Sequence, residues 1–211
     1  MQIFKYGIVL TSLTINELEV VRNWRNSDDV RPYMQYQKMI SSRMQLEWFN
    51  SLNRISNLYF VIQKEGEKIG LINLKDINWK SRTAEAGIFV GNRNYINSMI
   101  PVLATVTLME FAFDVLKLIG LKAKIGVTNN KVIQFNESIG YQENETQSNE
   151  EFHYYRVNAN QFYAATAKMR ETLRKLNANR FEIVLSEIEK EELNINEEAI
   201  AIPELKLTIC N

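Results

Sequence analysis

The stretch "GIFVGNRNYINSMIPVLATV", Gly87–Val106, decides how this chain is read. "GIFVG" is an apolar run bounded by glycines and reads as the end of a strand. "NRNYINSM" is a polar turn. From Ile100 the sequence becomes almost continuously apolar, with Pro101 where a helix tolerates proline, in its first turn. A helix start presents unpaired N–H groups and a positive dipole end, and both suit an anion. Turns with that task are usually rich in glycine, which lets backbone approach a phosphate closely. Here Gly91 is followed by no glycine before the helix. Whether this joint still grips an anion is the question that the rest of the chain has to answer.

On either side lie the elements that such a joint needs. "LYFVIQ" (Leu58–Gln63), "KIGLINLKDI" (Lys68–Ile77) and "TAEAGIFVG" (Thr83–Gly91) read as three strands in an antiparallel meander, the first two joined by "KEGE". Gly87 within a strand pattern predicts a bulge or a close backbone approach. Upstream, "YGIVLTSLT" (Tyr6–Thr14) reads as a strand. It leads to a helix through "NELEVVRNWRN", whose end is expected near Ser27 because Pro32 disfavours helix at Arg31. "ISSRMQLEWFNSLNR" is a second helix with serine caps. Downstream, the long helix runs from about Pro101 to Lys117, with Gly120 expected as its cap. "LKAKIGV" (Leu121–Val127) is a strand, "NNKVIQFNESIG" a short helix ending at Gly140, and "EEFHYYRVN" (Glu150–Asn158) a late strand. Helices, a meander and alternating later elements give an α+β fold: a central sheet with helices on its faces.

After Asn160 the character changes. "QFYAATAKMRETLRKLN" is a basic amphipathic helix, and the residues beyond it mix strand-like runs with acidic stretches. The expected division is therefore a main domain over 1–160 and an extension over 161–211. The extension packs either on the main domain or on a second subunit, so a homodimer through it is one expectation.

Composition excludes several classes. The 211 residues are 45% hydrophobic, enough for a sizeable core, and 25 Lys plus Arg balance 25 Asp plus Glu. A net charge of zero gives no general pull toward nucleic acid or an anionic membrane. The one cysteine, Cys210, allows no intrachain disulfide framework and suits a reducing, cytoplasmic setting. The opening "MQIFKYGIVLTSLT" does not read as a signal peptide. The apolar segment Ile100–Leu118 carries Pro101, Thr105, Thr107, Glu110, Asp114 and Lys117, so it reads as a buried helix rather than a membrane span. The single histidine, His153, has no cluster around it that would hold a metal.

Three segments carry a family resemblance, in order. The first is "AEAGIFVGNRNYINSMIPVLATVTLMEFAF"; the second, "TNNKVIQFNESIGY"; the third, "VRNWRNSDDVRPYM…ISSRMQLEWFNSL". Together they resemble the GNAT acetyltransferase superfamily over about residues 6 to 158. Many relatives have a YxGxGIG loop before the long helix. Laid on that loop, Tyr95 takes the tyrosine position, Ile100 the isoleucine, and Asn97, Met99 and Pro101 the three glycines. The third segment looks like the opening of a narrower group. Its members acetylate the amine of nucleotide-linked amino sugars in the pseudaminic-acid pathway, and it has cousins that modify ribosomal proteins.

The resemblance implies a mostly antiparallel mixed sheet and an N-acetyltransferase that uses acetyl-CoA as co-substrate. Its acceptor would be a small-molecule amine, on a nucleotide-linked amino-deoxy-sugar, attacked directly after deprotonation. A protein or peptide amine is the rival acceptor, and a degenerate fold that binds without catalysis is the rival class. By resemblance, the pyrophosphate falls to Tyr95, Ile96, Asn97, Ser98, Met99, Ile100 and Val102. The pantetheine arm falls to Phe89, Val90, Asn129, Val132 and Phe135. Glu85 is the candidate base, with a solvent-facing strand residue as the plain alternative. Asp76 shapes the substrate pocket or caps a turn. Trp24, Arg25, Tyr33 and Met34 are candidates for the acceptor pocket, with core packing as the competing role of Trp24. The tyrosine that many relatives place seven residues after Asn129 is Asn136 here. Met99 and Pro101 depart most from the loop pattern, since one resists unusual dihedrals and the other lacks an N–H.

Overall fold

The computed structural model describes residues 1–176, 181–195, 202 and 204–210. The N-terminal residues form a hairpin, Gln2–Lys5 (β1) and Ile8–Ser12 (β2), turned at Tyr6 and Gly7, both at positive φ. The expected single strand from Tyr6 is thus corrected: a left-handed pair reverses the chain there. Leu18–Asn26 (α1) and Ser42–Ser51 (α2) come next, α2 capped by Ser41. Leu58–Lys64 (β3), Glu67–Asn78 (β4) and Thr83–Val90 (β5) make the expected antiparallel meander.

The long helix, Ile100–Glu110 (α3), continues into a π-helical turn over Phe111–Val115. Its exit uses Lys117 in the left-handed region, and Gly120 is instead the first residue of the next strand, Gly120–Gly126 (β6). Asn130–Ser138 (α4) ends at Gly140 at positive φ, as expected of a helix terminator. Gln142–Glu143 (β7) and Phe152–Asn158 (β8) close that side. Ala159–Leu176 (α5), Phe181–Ser186 (β9), Glu187–Glu192 (α6) and Leu205–Cys210 (β10) complete the described chain.

All ten described strands belong to one sheet, in the order β10-β9-β1-β2-β3-β4-β5-β6-β8-β7. The C-terminal extension therefore lengthens the sheet: β9 pairs antiparallel with β1, and β10 runs parallel to β9. One face of the sheet packs against α3, α4 and α5 in the larger core, which contains Phe60, Ile72, Phe111 and Phe162. The other face carries a smaller cluster of Leu18, Val21, Phe49, Val61 and Leu71 under α1 and α2.

A buried ionic knot ties the extension to the rest. Glu110, with no exposed surface, accepts from Tyr6 Oη at 3.0 Å and from Arg170 Nε at 2.7 Å, and lies 2.8 Å from Lys5 Nζ. Three donors from β1, its turn and α5 thereby satisfy a charge on α3 that would be costly to bury alone. Burial pulls the Lys5 ammonium below its usual range, and Glu110 works against that shift.

Candidate functional site

β5 and β6 are parallel neighbours within the sheet, and their ladder is short. Thr83, Ala84 and Glu85 face Gly120, Leu121 and Lys122, and no further pairs join the two strands. Beyond Glu85 the strands separate, so Ala86–Val90 and Ala123–Gly126 border a wedge without mutual backbone bonds. A wedge of unpaired strand edges can take an extended chain rich in amides, because the edges offer donors and acceptors in sequence. Gly87, expected to mark a bulge, sits in regular register with Asn73. Its missing Cβ makes room for the Asn73 amide, which lies 3.1 Å from where a Cβ would stand. The bulges fall elsewhere, between Ile62 and Gln63 and between Lys75 and Asn78.

Glu85 stands where the wedge opens. It shares the α1/α2 face with Gly87 and Phe89, because side chains alternate along a strand and Phe89 packs in the smaller cluster. It is no isolated solvent carboxylate. Lys75, directly opposite on β4, places its Nζ 2.8 Å away. Tyr59 lies nearby. Burial raises its hydroxyl above the usual tyrosine value, Asp76 and Glu85 add to the rise, and Arg25 opposes it. Sequence reasoning missed Lys75, Tyr59 and Asn73. Their alternation in "LYFVIQ" and "LINLKDI" is legible, but which of them meets Glu85 depends on the bulged register. The Asn73 Nδ2 is buried with no hydrogen-bond partner among the described residues.

The acceptor candidates divide. Arg25 is partly buried, and no carboxylate pairs with it among the described residues; burial lowers its guanidinium from the usual value. Tyr33 is 59% exposed, and Met34 comes after it in the loop that leaves a short turn at Arg31–Tyr33. Asp76 is exposed, holds a left-handed backbone at the β4 bulge, and donates its N–H to the Asn57 amide oxygen. Trp24 instead packs with the smaller cluster and lies over Gly91, where an added Cβ would come within 2.0 Å of the indole. That contact explains Gly91 by close packing.

The loop that takes the place of the missing glycines is well suited to its residues. Met99 adopts φ −75° and ψ −9°, an ordinary right-handed conformation, so the concern over its dihedrals does not apply. Pro101 sits in the first turn of α3, where its missing N–H costs nothing. Ser98 Oγ accepts from the Ile100 N–H at 3.2 Å, while the N–H groups of Asn97 and Met99 have no hydrogen-bond partner among the described residues. Ile96, Asn97 and Met99 are exposed. The Ile100 side chain is 4% exposed and belongs to the larger core. Tyr95 turns back to β4, its hydroxyl donating to Glu67 at 2.9 Å, while its N–H donates to the Asn92 carbonyl and its own carbonyl accepts from Ser98. Val102 is partly buried against the larger core. Arg93 forms an exposed ion pair with Asp29.

On the far side of the wedge, Val132 and Phe135 of α4 pack partly buried on the larger core, as Val90 does from β5. Asn129 is at the N-cap position of α4, yet its side chain makes no capping bond and remains available. Asn136 Nδ2 donates to the Val132 carbonyl at 2.9 Å. A cavity of about 680 Å³ opens between the loop from Pro32 to Gln37 and the ends of β6 and β8, and Asn129 is among the residues lining it.

These features fit a phosphorylated thioester with a pantetheine arm: free amides at a helix start, a wedge between parallel strands, and an unspent asparagine amide beside it. No group of His, Cys, Asp and Glu that could hold a metal occurs among the described residues, and no described helix is long and apolar enough to cross a membrane.

Comparison with known proteins bears on the family and the fold. A family model described as "Acetyltransferase (GNAT) domain" matches residues 8–142. Two proteins named acetyltransferase PseH, from two strains of Campylobacter jejuni, are similar at 27% and 28% identity. The alignments cover 64% and 63% of this chain and 79% and 78% of theirs. Among solved structures, one described as a nucleotide-linked sugar GNAT, FdhC, superposes with a TM-score of 0.69 at 20% identity, covering 82% of this chain and 98% of its own. Spermidine N-acetyltransferase from Vibrio cholerae, solved with CoA and spermine, superposes with a TM-score of 0.65 at 19% identity, covering 74% and 98%.

Proposed function

The chain belongs to the GNAT acetyltransferase family, and on that premise we propose that it moves an acetyl group from acetyl-CoA to an amine of a nucleotide-linked amino sugar. The observation that carries the reading is Glu85 at the end of the β5–β6 ladder, where the strands part. A carboxylate there stands beside the gap in the sheet that can hold the pantetheine arm, on the face that the acceptor can approach.

Acetyl-CoA supplies an activated thioester when bound. The amides of Asn97 and Met99 and the positive end of α3 hold its pyrophosphate. Free strand edges and Asn129 hold the arm. A free N–H of the β5 edge close to Glu85 meets the carbonyl oxygen where negative charge grows. Glu85 takes the proton of the acceptor amine as its nitrogen forms the C–N bond. The C–S bond breaks, and the electron pair leaves on the thiolate. Asn136 spends its amide on its own helix and brings no acid to that sulfur. A thiolate is a fair leaving group, so the step needs none. Lys75 keeps Glu85 paired between turnovers. Its pair is partly exposed, and such pairs contribute only about 0–1 kcal/mol, so the carboxylate is readily released.

Support for the acceptor comes from the likeness to the nucleotide-linked sugar GNAT and from the cavity roofed by the Pro32–Gln37 loop. The test has two steps. Calorimetry should show acetyl-CoA binding; none at near-millimolar cofactor would sink the enzyme reading. Mass spectrometry should then show acetyl transfer to a nucleotide-linked amino sugar in preference to spermidine or an N-terminal peptide. Preference for either of those amines would replace the acceptor.

A further inference from the structure

Tyr59, Asn73 and Gly87 form one row across β3, β4 and β5: Asn73 faces Tyr59 on one side and Gly87 on the other. The neighbouring row on the same face is Lys75 with Glu85, two residues along each strand. Asn73 therefore stands next to the candidate base, on the side where β5 has already left β6. Its amide makes no hydrogen bond among the described residues, and Nδ2 is buried. Asn26 shows what a structural amide does nearby. It donates to the Ile40 carbonyl at 2.9 Å and accepts from the Ile40 N–H at 2.8 Å, which ties the loop before α2 to the end of α1. The Asn73 amide ties nothing. A buried polar group without a partner is unfavourable, so the arrangement points to a partner from outside the chain. The way in lies over Gly87. Its missing Cβ leaves Oδ1 and Nδ2 at 3.1 and 3.5 Å from the place where a side chain would begin, with bare backbone between the amide and the wedge. Tyr59 walls the other side, held edge-on by Trp48 with 5.1 Å between ring centres.

We propose that Asn73 is a second catalytic residue: its Oδ1 accepts the N–H that stays on the acceptor nitrogen while Glu85 removes the other. The inference rests on the acetyl-transfer reading and adds a residue to it. A primary amine brings two N–H groups and one lone pair. With one N–H on Glu85 and the second on Asn73, the lone pair is left to face the thioester carbon. The C–N bond forms from that pair, the proton passes to Glu85, and the C–S electron pair leaves on the CoA sulfur. The amide product keeps the N–H that Asn73 holds. The two rows are about 7 Å apart along the strands, and side chains leaning over that interval can bracket one nitrogen at about 2.9 Å from each oxygen. A neutral amide suits the task, because it holds an N–H without competing for the proton, as a second carboxylate beside Glu85 would. Lys75 carries donors alone and cannot take this place.

The experiment follows acetyl transfer by the full chain to a uridine-diphosphate-linked primary amino sugar and to its N-methyl derivative, for the wild type and Asn73→Ala. The secondary amine has one N–H, which goes to Glu85, so it offers Asn73 nothing. Asn73→Ala should lower kcat/KM for the primary amine about tenfold or more, and for the N-methyl amine less than about twofold. Acetyl-CoA affinity by calorimetry and the urea midpoint should stay as in the wild type, because the amide makes no bond within the described chain. An unchanged rate with the primary amine, or an equal loss on both amines, overturns the inference. A parallel loss of acetyl-CoA affinity or of stability overturns it too and assigns Asn73 to packing. Glu85→Gln runs beside these samples. An inactive Glu85→Gln with a fully active Asn73→Ala removes Asn73 and leaves Glu85 as the base. No transfer by the wild type to any primary amine tested overturns the acetyl-transfer reading, and the role of Asn73 with it.

Discussion

Lys75 and Glu85 stand directly opposite each other on β4 and β5, with the Lys75 ammonium 2.8 Å from the Glu85 carboxylate. The pair holds the candidate base at the mouth of the wedge. Glu85→Gln keeps the shape and removes the proton acceptor. It should lower kcat by about a hundredfold or more at neutral pH and leave acetyl-CoA affinity within about twofold, as general-base losses do. Steady-state kinetics beside calorimetry checks both, and an unchanged kcat removes Glu85 from the mechanism.

Met99 stands where relatives carry glycine, yet its backbone is right-handed and its side chain 58% exposed. Met99→Gly should therefore leave CoA affinity within about threefold, while chain flexibility costs about 0.5–1 kcal/mol of stability. A tenfold tightening would show that the side chain obstructs the phosphate site.

Glu110 binds α3, β1 and α5 into one unit. Glu110→Ala leaves Lys5 and Arg170 without their shared partner and should cost about 3–5 kcal/mol in denaturant unfolding. Proteolysis should then cut α5 before the central strands. Loss under about 1 kcal/mol would mean that apolar contacts of Phe162 and Leu173 alone dock the extension.

Glu17 joins the start of α1 to β4 through Lys68 at 3.0 Å. Burial pushes its carboxyl up, but hydrogen bonds from Thr14 and Lys68 outweigh burial and hold it below the usual value of 4.5. A depressed carboxylate contributes stability above its unfolded value, and loses it as pH falls through the folded one. Wild type should thus exceed Glu17→Gln by about 0.5–1 kcal/mol at about pH 7, and the two should converge on acidification below about 4.5. Thermal melts over about pH 3–7 test this; a constant gap would assign the effect to packing.

The order of strands and helices from β2 to β8, apart from the two-residue β7, was legible because period and caps are local signals: the meander, Pro101 at the head of α3 and Gly140 at the end of α4. The hairpin at Tyr6 was missed because its left-handed turn has a tyrosine beside a single glycine. The mismatch at Met99 and Pro101 looked like damage in one dimension. In three, both residues adopt ordinary helix-start geometry, and the free amides come from Asn97 and Met99 themselves.

By itself the sequence determined the class of the fold, the strand–turn–helix joint at Gly87–Val106 and the placing of Glu85 on its strand, since these come from residue type and spacing along the chain. Only the tertiary structure decided what Glu85 meets. Register across the bulged β4–β5 ladder sets Lys75 against it, and the parting of β5 from β6 opens the wedge beside it. It also decided that the C-terminal residues extend the sheet. Their apolar faces are complete only against β1 and α3, and pairings over more than about a hundred residues leave no local mark in the chain.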